Sequence, residues 1–381
     1  MIAFGISGPG RILFGRGEAA RAPALIATFG ARGVVVCGAN PMRSAWLLAA
    51  LQSMGVDVLQ LACPAEPTLS MLEAATIAAR GFGAQWLVGY GGGAALDLAK
   101  AVAALVPAPG GAMDHLEVVG KGLPLGAAPL PFIALPTTSG TGAEATRNAV
   151  IGVPELGRKV SLRDDRMIAR ITIVDPALSD HCPRAVTLAS GMDALTQVIE
   201  PYVSCRATPF TDALTRPAIS SGLAALMRLM QGDDAEARDQ MAWVSLCGGL
   251  ALSNSGLGAV HGLAGVIGGL TGAAHGTICG ALLGPVLKMN ARRAATGSRA
   301  ELRVTEVLSK LAAVLAVRPE QAADALASWA RKAGLPAVSE LGLAADQMAE
   351  VAGAALLSSS MQGNPVPVSA GDLVEALSDA T

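Results

Sequence analysis

The sequence predicts two domains: an α/β domain with a parallel sheet over residues 1–178, then an all-helical domain over residues 179–381. Three observations lead there. A chain of 381 residues exceeds what one core usually organises. Short apolar runs rich in Val and Ile alternate with helix-like segments as far as Val174, the pattern of a parallel sheet covered by helices. Beyond Pro176 the β signals fade and segments of helical period follow one another.

Taken in order, residues 32–37 (RGVVVC) read as a buried strand and 43–54 as a helix. Residues 56–61 form the next strand and 70–80 the next helix. The strand at 85–89 runs into Gly91-Gly92-Gly93, and 96–106 is helical. Two more strands fall at 132–135 and 171–174. The second half is expected to hold helices at 187–203, 211–231, 235–253, 257–269, 275–290, 300–315, 319–334 and 345–361. The boundary belongs near residues 175–180, just after the last strand.

Charged residues make up only 15% of the chain and the formal net charge is −2, which argues against nucleic acid or an anionic membrane as partner. The six cysteines are scattered singly, the usage expected of reduced core thiols in a cytoplasmic protein. The N-terminus lacks the basic start and apolar core of a signal peptide. The 48 residues from 240 to 287 carry no Asp, Glu, Lys or Arg. That is long enough for a membrane span, but Ser, Asn, His and many Gly interrupt it, so helices buried within a domain explain it better.

His261 and His275, two of only four histidines, lie in that uncharged stretch. An imidazole in apolar surroundings needs a partner for each ring nitrogen, and either a packed core with backbone acceptors or a metal ion can supply it. Asp193 and Gln197, four apart on a predicted helix, share one face. Asp193 also suits the start of that helix, where the dipole favours a carboxylate. With the two histidines it makes a set suited to Fe(II) or Zn(II) with open positions for substrate. His115 and His181 read as surface or capping residues. Gly91-Gly92-Gly93 with Asp97 and Lys100 stands between a strand and a helix, where backbone N–H groups can hold a phosphate or simply make a tight turn. The stretch from Pro136 to Glu144 packs four hydroxyls and two glycines into nine residues, an array fit for a ribose, an amide or a pyrophosphate.

These motifs together resemble the iron-containing (group III) alcohol dehydrogenases, of the dehydroquinate-synthase-like fold. The resemblance rests on Phe14-Gly15-x-Gly17, Gly91-Gly92-Gly93-x-x-x-Asp97-x-x-Lys100 and Pro136-Thr137-Thr138-x-Gly140-Thr141-Gly142-x-Glu144. It continues through Lys159, Asp175-Pro176-x-Leu178, Gly191-Met192-Asp193-Ala194-Leu195, His261-Gly262 and His275-Gly276, in order along nearly the whole chain. It implies an active site between an NAD(P)-binding domain and a helical metal domain. Gly91, Gly92 and Gly93 would hold the pyrophosphate, with Gly38, Asn40, Asp97 and Leu178 also among the cofactor contacts. Thr137 and Thr138 would lie near the nicotinamide, with Thr141, Asn148 and Lys159 as further contacts. Asp193, His261 and His275 would bind the metal, with Gln197 as a weak fourth ligand, a water-mediated one or a substrate contact.

Two departures stand out. The family's third imidazole ligand falls at Gln197, a neutral amide, which should weaken iron and favour zinc. A second frequent active-site histidine falls at Gly265, so any proton relay through that position is lost. The stretch Gly38-Ala39-Asn40-Pro41-Met42-Arg43 offers an arginine and no acid, a lean toward NADP over NAD, although Arg43 can equally be a solvated helix-start residue. The expected reaction is hydride transfer between nicotinamide and a small alcohol or its carbonyl product, in a homodimer. The rivals are reduction of an unsaturated keto acid, as in maleylacetate reductase, and a non-catalytic nucleotide- or metal-binding role.

Overall fold

The computed structural model describes residues 3–381. They divide into two compact units: Ser7–Thr138 with Gly142–Asp180, and His181–Thr381 with Ser139–Thr141 and residues 3–6.

The first unit holds eight strands: β1 (Ile12–Phe14), β2 (Arg32–Cys37), β3 (Asp57–Ala62), β4 (Leu87–Gly91), β5 (Phe132–Pro136), β6 (Asn148–Val153), β7 (Arg158–Arg163) and β8 (Ile171–Val174). Its helices are α1 (Ala22–Ala27), α2 (Ala45–Ser53), α3 (Leu69–Phe82), α4 (Gly93–Leu105) and the single turn α5 (Ala112–His115). Six strands pair in parallel in the order β1-β8-β5-β4-β2-β3. Successive side chains of a strand point to opposite faces, and the central strands β2, β4, β5 and β8 are covered on both, so they read as continuous apolar runs. Val34, Val36, Leu87 and Phe132 pack with α3 and α4, while Val35, Val88, Ile133 and Ile173 pack with α1 and α2. Gly89 lets α4 lie close on β4, since a Cβ there would stand 3.0 Å from the Leu96 Cα.

The chain passes from β2 outward to β3, then returns to lay β4 on the other side of β2. That reversal leaves a crevice outside the carboxyl ends of β2 and β4, where open α/β sheets bind ligands.

A separate antiparallel hairpin, β6 with β7, has no counterpart in the sequence expectations. Its buried positions alternate (Ala149, Ile151 and Val153; Val160 and Leu162), but the unbroken apolar run at 149–151 and Gly152 blur the period-2 pattern in the sequence itself. Those five side chains pack into the core beside α3 and α4, and Lys100, almost fully buried on α4, ties the hairpin down. Its ammonium donates to the carbonyls of Ala143 (2.7 Å) and Asn148 (2.8 Å) and to the Thr146 hydroxyl (2.8 Å). Asp97, one turn earlier, accepts from the Val150 amide (3.0 Å).

The second unit contains α6 (Arg184–Val203), α7 (Pro209–Leu229), α8 (Ala235–Ser255), α9 (Ala259–Thr271), α10 (His275–Arg293), α11 (Arg299–Leu315), α12 (Ala322–Ala333), α13 (Met348–Leu356) and α14 (Ala370–Asp379). All nine contribute to one continuous apolar core. Among the described residues no single helix is long and apolar enough to cross a membrane; α8 and α9 pass that test only as a pair bent by 99°. The last helix was not legible in the sequence: its ten residues are short and nearly half polar.

Candidate metal and cofactor sites

Helix α6 carries the first half of a buried polar cluster. It begins at Arg184, so Asp193 lies about two turns inside it and not at its start, and the dipole does not account for the carboxylate. The spacing 193, 197, 200 sets Asp193, Gln197 and Glu200 along one stripe, all three buried among apolar side chains. Helix α9 begins two residues before His261, and α10 begins at His275. Gly276 lets α10 cross α6 closely: a Cβ there would collide with the Ala189 carbonyl and approach the Asp193 Cβ to 3.2 Å.

This packing brings the Asp193 Oδ1 within 3.4 Å of the His261 Nε2 and 3.9 Å of the His275 Nε2. The two imidazole centroids are 5.3 Å apart. Behind His261 stands Glu200, whose Oε2 is 2.6 Å from Nδ1 and whose Oε1 accepts from the Val260 amide at 2.7 Å. That carboxylate holds a proton on Nδ1, so Nε2 is the nitrogen turned toward Asp193 and the one a metal would claim. Burial disfavours the charged forms throughout. Even so, Asp193 is held below the usual carboxylate range by the two histidines, and His261 is raised well above its ordinary value by Cys279, Asp193 and Glu200. Burial likewise opposes the His275 imidazolium, but the neighbouring Cys279 and Asp193 raise it to about 9.

Three buried atoms at this place have no hydrogen-bond partner: Asp193 Oδ1, His261 Nε2 and Gln197 Oε1. Unpaired polar atoms inside a protein cost about 1–3 kcal/mol each. A cluster of them, comprising a carboxylate oxygen and an imidazole nitrogen, is what a divalent cation would satisfy. Asp193, His261, His275 and Cys279 each offer a ligand atom, all within 4.8 Å of one another. The residues therefore fit a metal.

Sequence reasoning missed Glu200 and Cys279. Both were within reach of helical spacing: Glu200 lies seven residues after Asp193, and Cys279 four after His275. Gln197 is brought to the cluster's helix face, where its amide donates to the Gly140 carbonyl (3.2 Å). Gly265 has open space beside its Cα, with no atom within 4 Å of a Cβ placed there. His115 is buried, not a surface residue, with its ring nitrogens at the carbonyls of Leu123 and Pro109. His181 is exposed beside Asp233.

Glu200→Gln is expected to weaken metal affinity about 10–100-fold, the usual cost of altering a residue that orients a ligating histidine. Chelator competition measures it, and an unchanged affinity would show that the carboxylate does not set the His261 tautomer.

In the sheet unit, the candidates for nucleotide binding gather at the carboxyl ends of the strands. Gly38 follows β2, Gly91 ends β4, Gly92 caps α4 without a side-chain hydrogen bond, and Gly93 opens that helix. The free N–H groups of its first turn are placed as a site for an anion would need them. A Cβ on Gly91 would stand 2.7 Å from the Ala95 Cβ and 3.1 Å from the Gly38 amide, so only glycine allows this approach. Thr137 donates its amide to the Gly91 carbonyl (2.9 Å), and Thr138 packs against Gly92. These residues fit a phosphate-bearing cofactor.

The remaining candidates are otherwise engaged. Thr141 belongs with the helical unit. The Asn40 side chain accepts from the Met42 amide, and Arg43 donates to the Leu178 carbonyl (2.6 Å). Asp97 and the Asn148 carbonyl hold the hairpin to α4, and Lys159 on β7 pairs with Glu66.

Residues 9–176 match the family described as iron-containing alcohol dehydrogenase, and residues 187–381 match the C-terminal part of the Fe-containing alcohol dehydrogenase family. A probable alcohol dehydrogenase, EutG of Escherichia coli, is 36% identical over 65% of this chain and 62% of its own length. The chain thus spans less than two thirds of that relative. The 4-hydroxybutyrate dehydrogenase of Cupriavidus necator is 32% identical over 85% of this chain and 84% of its own. Among solved structures, an archaeal halo-thermophilic alcohol dehydrogenase from a Red Sea brine pool superposes with a TM-score of 0.89 at 25% identity, covering 100% of this chain and 99% of that one. The parallel-sheet unit followed by a helical unit is the expected dehydroquinate-synthase-like fold.

Proposed function

Because the chain belongs to the iron-containing alcohol dehydrogenase family, we propose that it is a metal-dependent, NAD(P)-linked dehydrogenase interconverting small alcohols with their aldehydes or ketones. The observation that carries this reading is the donor cluster of buried Asp193 and His261 with half-buried His275, two of its atoms unpartnered. Lewis-acid polarisation of a substrate oxygen and acceptance of a hydride are what a divalent metal and a nicotinamide supply when bound.

The chain's own residues do the rest. Asp193 brings the negative charge that a dication requires. Glu200 holds His261 in the tautomer with Nε2 free. The apolar core around α6, α9 and α10 lowers the local dielectric, which strengthens each of these interactions. Oxidation removes a hydride from carbon and a proton from the hydroxyl. With no side chain at Gly265, that proton leaves through water or a cofactor hydroxyl. Gly91–Gly93 and the start of α4 seat the pyrophosphate, and Thr137 and Thr138 flank it.

Cofactor choice leans toward NADP, because no acid follows β2 and Arg43 has donors left beside the one given to Leu178. Arg43→Ala is expected to lower the NADP-to-NAD ratio of kcat/KM about tenfold, the loss of one charge-assisted hydrogen bond. An unaltered ratio would remove Arg43 from the cofactor site. A homodimer in a reducing cytoplasm completes the reading; six free cysteines, five of them buried, suit the reducing compartment.

The test is a screen of primary and secondary alcohols and their carbonyl products, with maleylacetate included, in NAD and NADP, on protein loaded with Fe2+ or Zn2+. Metal-dependent turnover of an alcohol is the expected result. Turnover of maleylacetate alone, or nucleotide binding without any turnover, would overturn it.

A further inference from the structure

We propose that the Cys279 thiolate is a metal ligand, taking the place of the imidazole that Gln197 does not supply. The inference rests on the metal reading above and specifies its donor set. Cys279 lies one turn after His275 on α10, fully buried, with its Sγ 3.6 Å from the His275 Nε2. Bond lengths of about 2.0–2.1 Å to nitrogen or oxygen and about 2.3 Å to sulfur place tetrahedral zinc ligands ~3.3–3.6 Å apart. The observed separations of 3.4 Å (Asp193 to His261), 3.9 Å (Asp193 to His275) and 3.6 Å (His275 to Cys279) are already close to those edges. All four donor atoms lie within 4.8 Å of one another.

Gln197 is a weaker candidate for the same role. Its amide is spent on the Gly140 carbonyl, and its oxygen is a neutral donor. A thiolate carries full charge and is soft. As the sulfur coordinates, its S–H proton passes to solvent and the donor set gains one negative charge. Two anionic and two imidazole donors suit zinc, for which Cys and His are preferred ligands, better than they suit iron. The substrate oxygen would then enter as a fifth ligand, an expansion catalytic zinc permits, and the Gln197 oxygen is left to face it or a water.

Cobalt(II) reports the ligands directly. Ligand-field bands in the visible show the ion bound at a tetrahedral site, and a sulfur-to-cobalt charge-transfer band in the near ultraviolet shows a thiolate bound to it. The wild type is expected to give both. Cys279→Ser should lose the near-ultraviolet band, keep the visible ones, and bind Zn2+ at least ~10-fold more weakly. Gln197→Ala should keep both bands. In the wild type loaded with Zn2+, X-ray absorption should also show one sulfur at about 2.3 Å in the zinc shell, so the outcome does not hang on how the serine variant folds. A near-ultraviolet band that is absent from the wild type or survives in Cys279→Ser, or a zinc shell without sulfur, overturns the ligand while the metal reading stands. Absence of visible bands from every protein overturns the metal reading itself.

Discussion

His261→Ala is expected to cut kcat by about 10^3-fold or more and to release the metal, while nucleotide binding stays within a few-fold of wild type. The size follows from what is removed. Metal polarisation of the substrate oxygen is worth several kcal/mol, and each 1.36 kcal/mol is about tenfold in rate. The variant also leaves Glu200 buried without its 2.6 Å imidazole partner, so some loss of stability accompanies the loss of turnover. Nucleotide binding is spared because its candidate residues lie at the strand ends of the other unit. Metal content, nucleotide titration and turnover measured together check the claim. Full activity with metal retained would remove His261 from the ligand set.

The second large effect concerns stability. Replacing Lys100 with Met should destabilise the protein by about 3–5 kcal/mol, the cost of breaking a buried charge network on one side. The Ala143 and Asn148 carbonyls and the Thr146 hydroxyl each lose a donor, and Asp97 loses its cation 3.7 Å away. Burial lowers the pKa of Lys100 itself, while Asp97 and Glu144 support its charge. Glu144, also buried, is pushed up from 4.5 to about 7, with Lys100 pulling against burial. A carboxyl whose folded pKa is raised keeps a proton that the unfolded chain has lost. Its contribution to stability is therefore full below about 4.5 and is lost as pH rises to about 7. Without Lys100 the Glu144 pKa rises further, and the decline should extend above pH 7. Urea unfolding across that pH range tests both parts. A midpoint unchanged from wild type would mean that the hairpin is held by packing alone.

The parallel sheet was legible because both of its faces are buried. Val34–Val36 and Ile133–Leu135 therefore stand out as apolar runs with no need of partners to explain them. The hairpin of β6 and β7 was not, because its sequence pattern is blurred and its polar anchors, Lys100 and Asp97, lie some fifty residues earlier. His261, His275 and Asp193 were legible as polar groups in apolar segments, where chemistry must account for them. Gln197 was legible as a departure. Cys279 was hidden by its own character, since a lone buried cysteine is an ordinary small apolar residue in any core.

By itself the sequence determined five of the six parallel strands and most of the helices, the glycine turn at the end of β4 and three residues with ligand chemistry. Those follow from local periodicity and from residue type. Only the tertiary structure decided which atoms meet. It turned the His261 Nε2 toward Asp193 through Glu200, laid α10 on α6 at Gly276, and brought the Cys279 sulfur to the same few ångströms. The physical reason is that a donor set is a property of distances between separate helices. Those distances are set by close packing of small residues that carry no chemical signal of their own.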